Sequence, residues 1–460
     1  MRMLARRLLL PCLTTLALTA TACSSPAHTG STGEPKHPAA SASTTAGDGR
    51  LDVAAAPEGS AAPTAVARAR AGGNKPEKSS LKVASYDKAS GRAVISATPQ
   101  EHTGSPNPVA VAVDDVIASA PAPGAPDGLL AKVTEVVGKT DRGTEVKTAP
   151  TTLASVLKED KADGAVPVDP ASVTVEPLMK GVTFSWAKGQ GLRSGPKGAE
   201  LPLGSLRLDV NAAVDTAEGA PASAGASVSG FVQLAPKVEF AYDGTPGGGA
   251  GPHSAFLGMS GDWSSQWELK GRAAASTGAP KRIPFATLRS APVIQVGPVP
   301  VVVNLSLTCY VQVEADGRVT LDVRQDVKGD FRVGGAYAAG KGWTPVSTSA
   351  VKSSPVKAAV TATGRVKGAL GAEASVGLYG AVGVSADFAP YLRGEADAKA
   401  AASTDGKASA SGAWALYGGF DLSGQLHLQL SLFGTPVFER RIPLGSLNRE
   451  WPLAGGSVAR

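Results

Sequence analysis

From about residue 180 onward, apolar side chains recur at every second position, and no comparable helical spacing appears. Such alternation places one row of side chains on each face of an extended strand. Within residues 301–313, Val301, Val303, Leu305, Leu307, Cys309, Val311 and Val313 share one face, and Asn304, Ser306, Thr308, Tyr310 and Gln312 share the other. Ala315-Asp316-Gly317 reads as a turn, followed by a returning strand with Val319, Leu321, Val323 and Val327 inward. Residues 420–432 repeat the pattern, with Phe420, Leu422, Leu426, Leu428, Leu430 and Leu432 opposite Asp421, Ser423, Gln425, His427, Gln429 and Ser431. The expected fold is mainly β, with a large antiparallel sandwich or barrel-like sheet over residues 179–460.

A smaller β-rich module is expected over residues 79–178. LKVASYD and GRAVISATP form a hairpin around Lys88 to Gly91, and VAVAVDDVIAS, LLAKVTEVV and TEVKTA supply further strands. Thr152 can cap one short helix that carries Leu153, Val156 and Leu157 on a single face. Residues 290–313 carry no charge, yet Pro292, Pro298 and Pro300, with Gln295 and Asn304, argue for a turn feeding a strand and against a membrane helix.

All the aromatic residues fall at or after Tyr86, so the first 85 residues contribute no large core side chains. Residues 23–78 read as a disordered Ala/Pro/Ser/Gly linker, too poor in apolar surface to offset the entropy of ordering. As a flexible coil of this length it would span about 40 Å. The 45 basic and 39 acidic residues give a formal charge of +6. Arg2, Arg6 and Arg7 belong to an export signal over residues 1–22, and its removal leaves 42 basic against 39 acidic side chains. That near balance removes the main support for a nucleic-acid partner.

The signal runs from a basic start through LLLPCLTTLALTA to Ala20-Thr21-Ala22 and then Cys23. LALTATAC resembles a bacterial lipoprotein signal, in which the chain is cut before the cysteine and the thiol is acylated. The resemblance covers the first 23 residues and departs from the family at Ala20, where Leu is usual. It implies lipidation at Cys23 and anchorage to the outer face of the cell membrane. Ordinary cleavage after Ala22, releasing a soluble secreted protein, is the alternative. The run from IASAPAPGAPDGLLAKVTEV through TEVKTAPTTLASVL also resembles a segment at the front of uncharacterised secreted bacterial proteins, and it brings no activity with it.

Motifs for chemistry are sparse. His28, His37, His102, His253 and His427 are scattered, and neither HExxH nor CxxC spacing occurs, so no metal or cofactor is expected. Gly335 to Lys341 matches a phosphate-binding loop only up to the lysine; Gly342 follows in place of a hydroxyl, which favours a hairpin loop. Ser79 to Lys82 and Ser354 to Lys357 satisfy S-x-x-K without the helix or companion motifs that a serine nucleophile needs. Asp114 and Asp115 are adjacent, so on a strand they point to opposite faces. In GDWSSQWELKG, Trp263 and Trp267 share a strand face, either as a flat platform for stacking a sugar or as core packing between sheets. Cys309 is expected to be a buried free thiol.

These features are expected of a non-enzyme that is lipid-anchored and acts in surface binding, adhesion or envelope scaffolding. Its partners would be the membrane and a cell-envelope glycan. The alternatives are a carrier of a hydrophobic ligand, signalled by a cavity inside the leucine-lined strands, and a wall-directed hydrolase.

Overall fold

The computed structural model describes residues 50–56, 64–67, 76–97, 111–169, 172–187, 193–195, 198–200, 205–215, 224–246, 251–273, 279–353, 357–396, 399–403, 409–410, 413–427, 430–434, 441–443 and 446–457. The fold is mainly β and sandwich-like, with helix among these residues limited to Ala154–Leu157 and 3-10 turns at Ser172 and at Leu430–Phe433. Leu153, Val156 and Leu157 are fully buried as expected; Leu153, not Thr152, is the N-cap and makes no side-chain cap bond, while Thr152 Oγ1 accepts from the Ser155 amide at 3.3 Å one residue further out.

One strand, Val299–Ala338, organises the large sheet. Its residues 303–324 pair with Lys357–Leu378, and residues 305–313 pair on the other edge with Lys281–Ser290. Its later residues, 319–338, pair with Pro252–Ala273 and, from 327 onward, with Gly342–Ser353. Two layers grow from this shared strand. One continues from Pro252–Ala273 through Ala224–Gly244 and Ser205–Asp215 to Val182–Ala187. The other continues from Lys357–Leu378 through Ala381–Ala396 and Ala413–His427 to Leu447–Ser457.

The expected turn at Ala315-Asp316-Gly317 does not form. These residues pair with Val366, Arg365 and Gly364 in the middle of an unbroken ladder. The physical reason lies in the phase of the alternation: Val301 to Val313 and Val319 to Val327 all fall on odd numbers, so a continuous strand keeps both runs on one face. The pattern over residues 420–432 also ends early. Its strand stops at His427, and Leu430–Phe433 turns back so that Phe433 stacks on Phe240 with centroids 6.1 Å apart. Gly335 to Lys341 does sit at a hairpin, and Gly340 and Gly342 take the positive φ values of 80° and 76° that its reversal requires.

The smaller sheet has seven strands in the order Glu77–Ser79, Thr64–Ala67, Val116–Ser119, Leu129–Thr140, Gly143–Pro150, Arg92–Ala97 and Leu81–Asp87. The hairpin around Lys88 to Gly91 forms as expected, with Asp87 accepting from the Ala89 amide at 2.9 Å. One face packs Val83, Ile95, Ile117, Val133 and Val146 into a core of its own. The other face presents Ala65, Ala67, Val116 and Ala118 to a cluster shared with Ile294, Val301 and Leu378 of the large sheet.

Two expected boundaries move. Residues 50–67, assigned by composition to the linker, contribute Arg50–Leu51 on Lys161–Pro167, Val53–Ala55 on Val293–Val296, and Thr64–Ala67 inside the seven-stranded sheet. Small side chains suffice there because the neighbouring sheets supply the apolar surface, and all four residues of Thr64–Ala67 are buried. Lys161–Pro167 and Thr174–Pro177, expected in the small module, pair with strands of the large sheet. No helix among the described residues is long and apolar enough to cross a membrane.

The outward faces are closed by cations lying on aromatic rings. Tyr310, on the polar phase of its strand, is only 1% exposed. It lies over Gly371, where a Cβ would come within 2.2 Å of its ring. The Arg282 guanidinium covers the ring at 3.9 Å, and the Tyr310 hydroxyl donates to Asp387 at 2.5 Å. Tyr391 repeats the arrangement over Gly419, beneath the Lys367 ammonium at 3.7 Å, and donates to Glu450 at 3.0 Å. Glycine on one strand thus makes room for a tyrosine on the next, and a cation seals it from water.

Candidate functional site: an apolar cavity between the layers

The strands that diverge from Val299–Ala338 line a partly open cavity of about 150 Å³. One wall carries Leu234, Met259, Trp263, Phe331 and Val333; the facing wall carries Leu307, Cys309, Leu370, Ala372, Phe388 and Leu422. The cavity arises from side-chain size. Inward positions on Lys357–Leu378 and Ala381–Ala396 include Ala372, Ala374 and Ala386, which fall short of the space between two layers of otherwise large residues. A lining this apolar offers water few hydrogen-bond partners, and its volume is comparable to that of apolar cavities that admit benzene.

Trp263 is 8% exposed and meets Phe388 edge-on, with ring centroids 5.8 Å apart at 71°. Its indole therefore faces the interior, and an exposed stacking platform at this position gives way to packing between the layers. The backbone of Trp267 pairs with Gly230 and Gln325, while its side chain lies outside the described residues. Ser265, two positions on from Trp263, is also buried and lines the cavity. At the rim, Arg289 pairs with Glu176 at 3.0 Å, both side chains being well exposed.

Cys309 is free, buried and on the cavity wall, in phase with Leu307 as the alternation requires. Burial pushes its thiol up to about 12, because the low-polarity surroundings disfavour a thiolate. A cavity lined by Leu426 to Leu432 would support the hydrophobic carrier, but the cavity lies elsewhere. Leu426 is fully buried, but it belongs to the cluster with Trp343 and Phe433; Leu422, two periods of the alternation earlier, reaches the cavity.

The remaining candidates have structural surroundings. His427 Nε2 lies 2.9 Å from Ser385 Oγ on the outward face. Asp114 pairs with Lys132 at 2.8 Å, and Asp115 is buried, where it accepts from the Ala112 amide at 2.9 Å. That burial departs from the solvated strand end expected for the pair. Among the described residues, no group of three or more His, Cys, Asp or Glu side chains is placed to hold a metal. Cys23 lies outside the described residues. The signal that could have located the cavity was the run of alanines at inward positions opposite leucine and phenylalanine, which the even alternation conceals.

The described residues thus form a mainly antiparallel, sandwich-like β fold with an apolar cavity between its layers. No protein-family model matches the chain, and no curated protein or solved structure does.

Proposed function

We propose that this chain is a lipid-anchored extracytoplasmic protein that takes a small apolar ligand into the cavity between its β layers. The observation that carries this reading is the cavity itself, with its walls of leucine, valine, phenylalanine and alanine. It favours a carrier of hydrophobic ligands over adhesion or scaffolding through the outer faces, where charged groups are already engaged with one another. Arg282 with Asp387, Lys367 with Asp421 and Arg393 with Glu450 are examples. The anchor rests on the signal ending at Cys23, which would keep the binding domain beside the membrane.

Benzene or toluene at about a hundred times its dissociation constant is expected to stabilise the protein by about 2.7 kcal/mol, seen as a rise in melting temperature that saturates with dose. Ala372→Leu fills the cavity and is expected to abolish that rise while keeping the fold. A melting temperature indifferent to every apolar probe counts against the reading.

The anchor is tested separately. Cys23→Ser is expected to move the protein from the membrane fraction to the medium, and mass spectrometry of native material should show an acylated Cys23 peptide. An unmodified mature N-terminus would leave the cavity reading intact and remove the anchor.

A further inference from the structure

The cavity has a shape as well as a volume. Its lining runs across five successively paired strands in each layer, from Leu206 to Ser349 in one and from Leu288 to Leu422 in the other. At about 4.8 Å between neighbouring strands, it extends about 19 Å across each layer. About 150 Å³ spread along that distance makes a slot and not a rounded chamber. Side-chain size gives the slot its course. Cys309 pairs directly with Ala372, and Ala374, next on the same face, pairs directly with Ala386. These small residues cross three strands, flanked by Leu307 beside Ala374 and Phe388 beside Ala372. Polar lining groups gather toward the ends. Arg289 and Ser290 lie on an outermost lining strand of one layer, with Ser306 in register beside Arg289, and Thr348 and Ser349 lie on an outermost strand of the other; Ser265 is the exception.

We infer that the cavity takes a single unbranched alkyl chain, lying along the slot with its polar end at a margin, so that fatty alcohols and fatty acids are the ligand class. This rests on the cavity being a ligand site, and it adds the class of ligand. Apolar walls reward every methylene removed from water, while the narrowness of the slot penalises bulk that a straight chain lacks. A globular ring system or a lipid with two chains on one head meets the same walls and does not fit between them.

The test measures the affinity of the mature chain for 1-hexanol, 1-octanol and 1-decanol by calorimetry. Each added pair of methylenes is expected to tighten binding about tenfold. 1-Adamantanol has the ten carbons and one hydroxyl of 1-decanol in a globular frame, and it is expected to bind about thirtyfold more weakly than 1-decanol. Dihexanoylphosphatidylcholine, kept below its micelle-forming concentration, is expected not to displace 1-decanol. Ala374→Leu blocks the run of small residues midway and is expected to weaken 1-decanol about tenfold while 1-hexanol changes less than about twofold, which also reports that the fold survives. Affinity that does not rise along the alcohol series, 1-adamantanol binding as tightly as 1-decanol, or displacement by the two-chain lipid would overturn the single-chain assignment, and toluene binding would still uphold the cavity reading. Failure of the alcohols and toluene alike to bind the unaltered protein would remove the cavity reading, and the chain assignment with it.

Discussion

Replacing Trp263 with alanine is expected to cost about 3–5 kcal/mol of folding stability. The side chain is buried at the middle of a strand that is paired on both edges, so the backbone cannot collapse into the space left behind. Its ring also supports Phe388 across the cavity, and that contact in turn leads to Phe420 at 5.7 Å and Trp451 at 6.4 Å from Phe420. The substitution would enlarge an existing cavity, which adds a cavity term to the lost burial. Chemical denaturation checks this through a lower midpoint with an unchanged slope. A cost below about 1 kcal/mol, combined with lost binding to cell-wall glycan, would restore the exposed platform at this position.

The second large effect is expected at alkaline pH. Cys309 has its thiol pushed up to about 12 from an ordinary value near 9, and burial likewise raises the Tyr242, Tyr310, Tyr379 and Tyr391 hydroxyls above their usual range. In the unfolded chain these groups release protons near their ordinary values; in the fold they retain them. Above about pH 9 the native state therefore binds more protons than the unfolded one, so stability must fall as pH rises. Cys309 alone accounts for about 2–3 kcal/mol of that loss by pH 11. Unfolding free energies measured from pH 8 to 11 should decline steadily, and Cys309→Ala should flatten the first part of the decline. Native Cys309 should also resist thiol reagents at pH 8, since little thiolate exists and the group is enclosed. Rapid labelling in the native state, or a stability profile flat across this range, would contradict its burial.

How far the sequence carries the fold can be seen strand by strand. The odd-numbered valines and leucines from Val301 to Val327 specify a half-buried strand and put Cys309 inside, because period two leaves only one face for all of them. The same phase runs through Ala315-Asp316-Gly317, so the continuity of the strand was already present in the pattern. A local turn signal obscured it, and the ladder to Lys357–Leu378 overrides that signal in the folded chain.

Composition was less informative for residues 50–67. Their small side chains cannot form a core alone, and whether they are ordered depends on apolar surface that other segments bring to them. Tyr310 shows the converse: the alternation assigns it to the outward face, where it remains, yet Gly371 beneath and Arg282 above enclose it.

The candidate site was the least legible feature. The sequence by itself determined the β class, the inward face of the long strand and the burial of Cys309, since each depends on local order along the chain. Only the tertiary structure decided that two layers share one strand, that Trp263 faces inward against Phe388, and that Ala372, Ala374 and Ala386 stand opposite larger residues across a gap. A cavity is a deficit of volume between segments far apart in sequence, and no periodicity within one segment records what stands across from it.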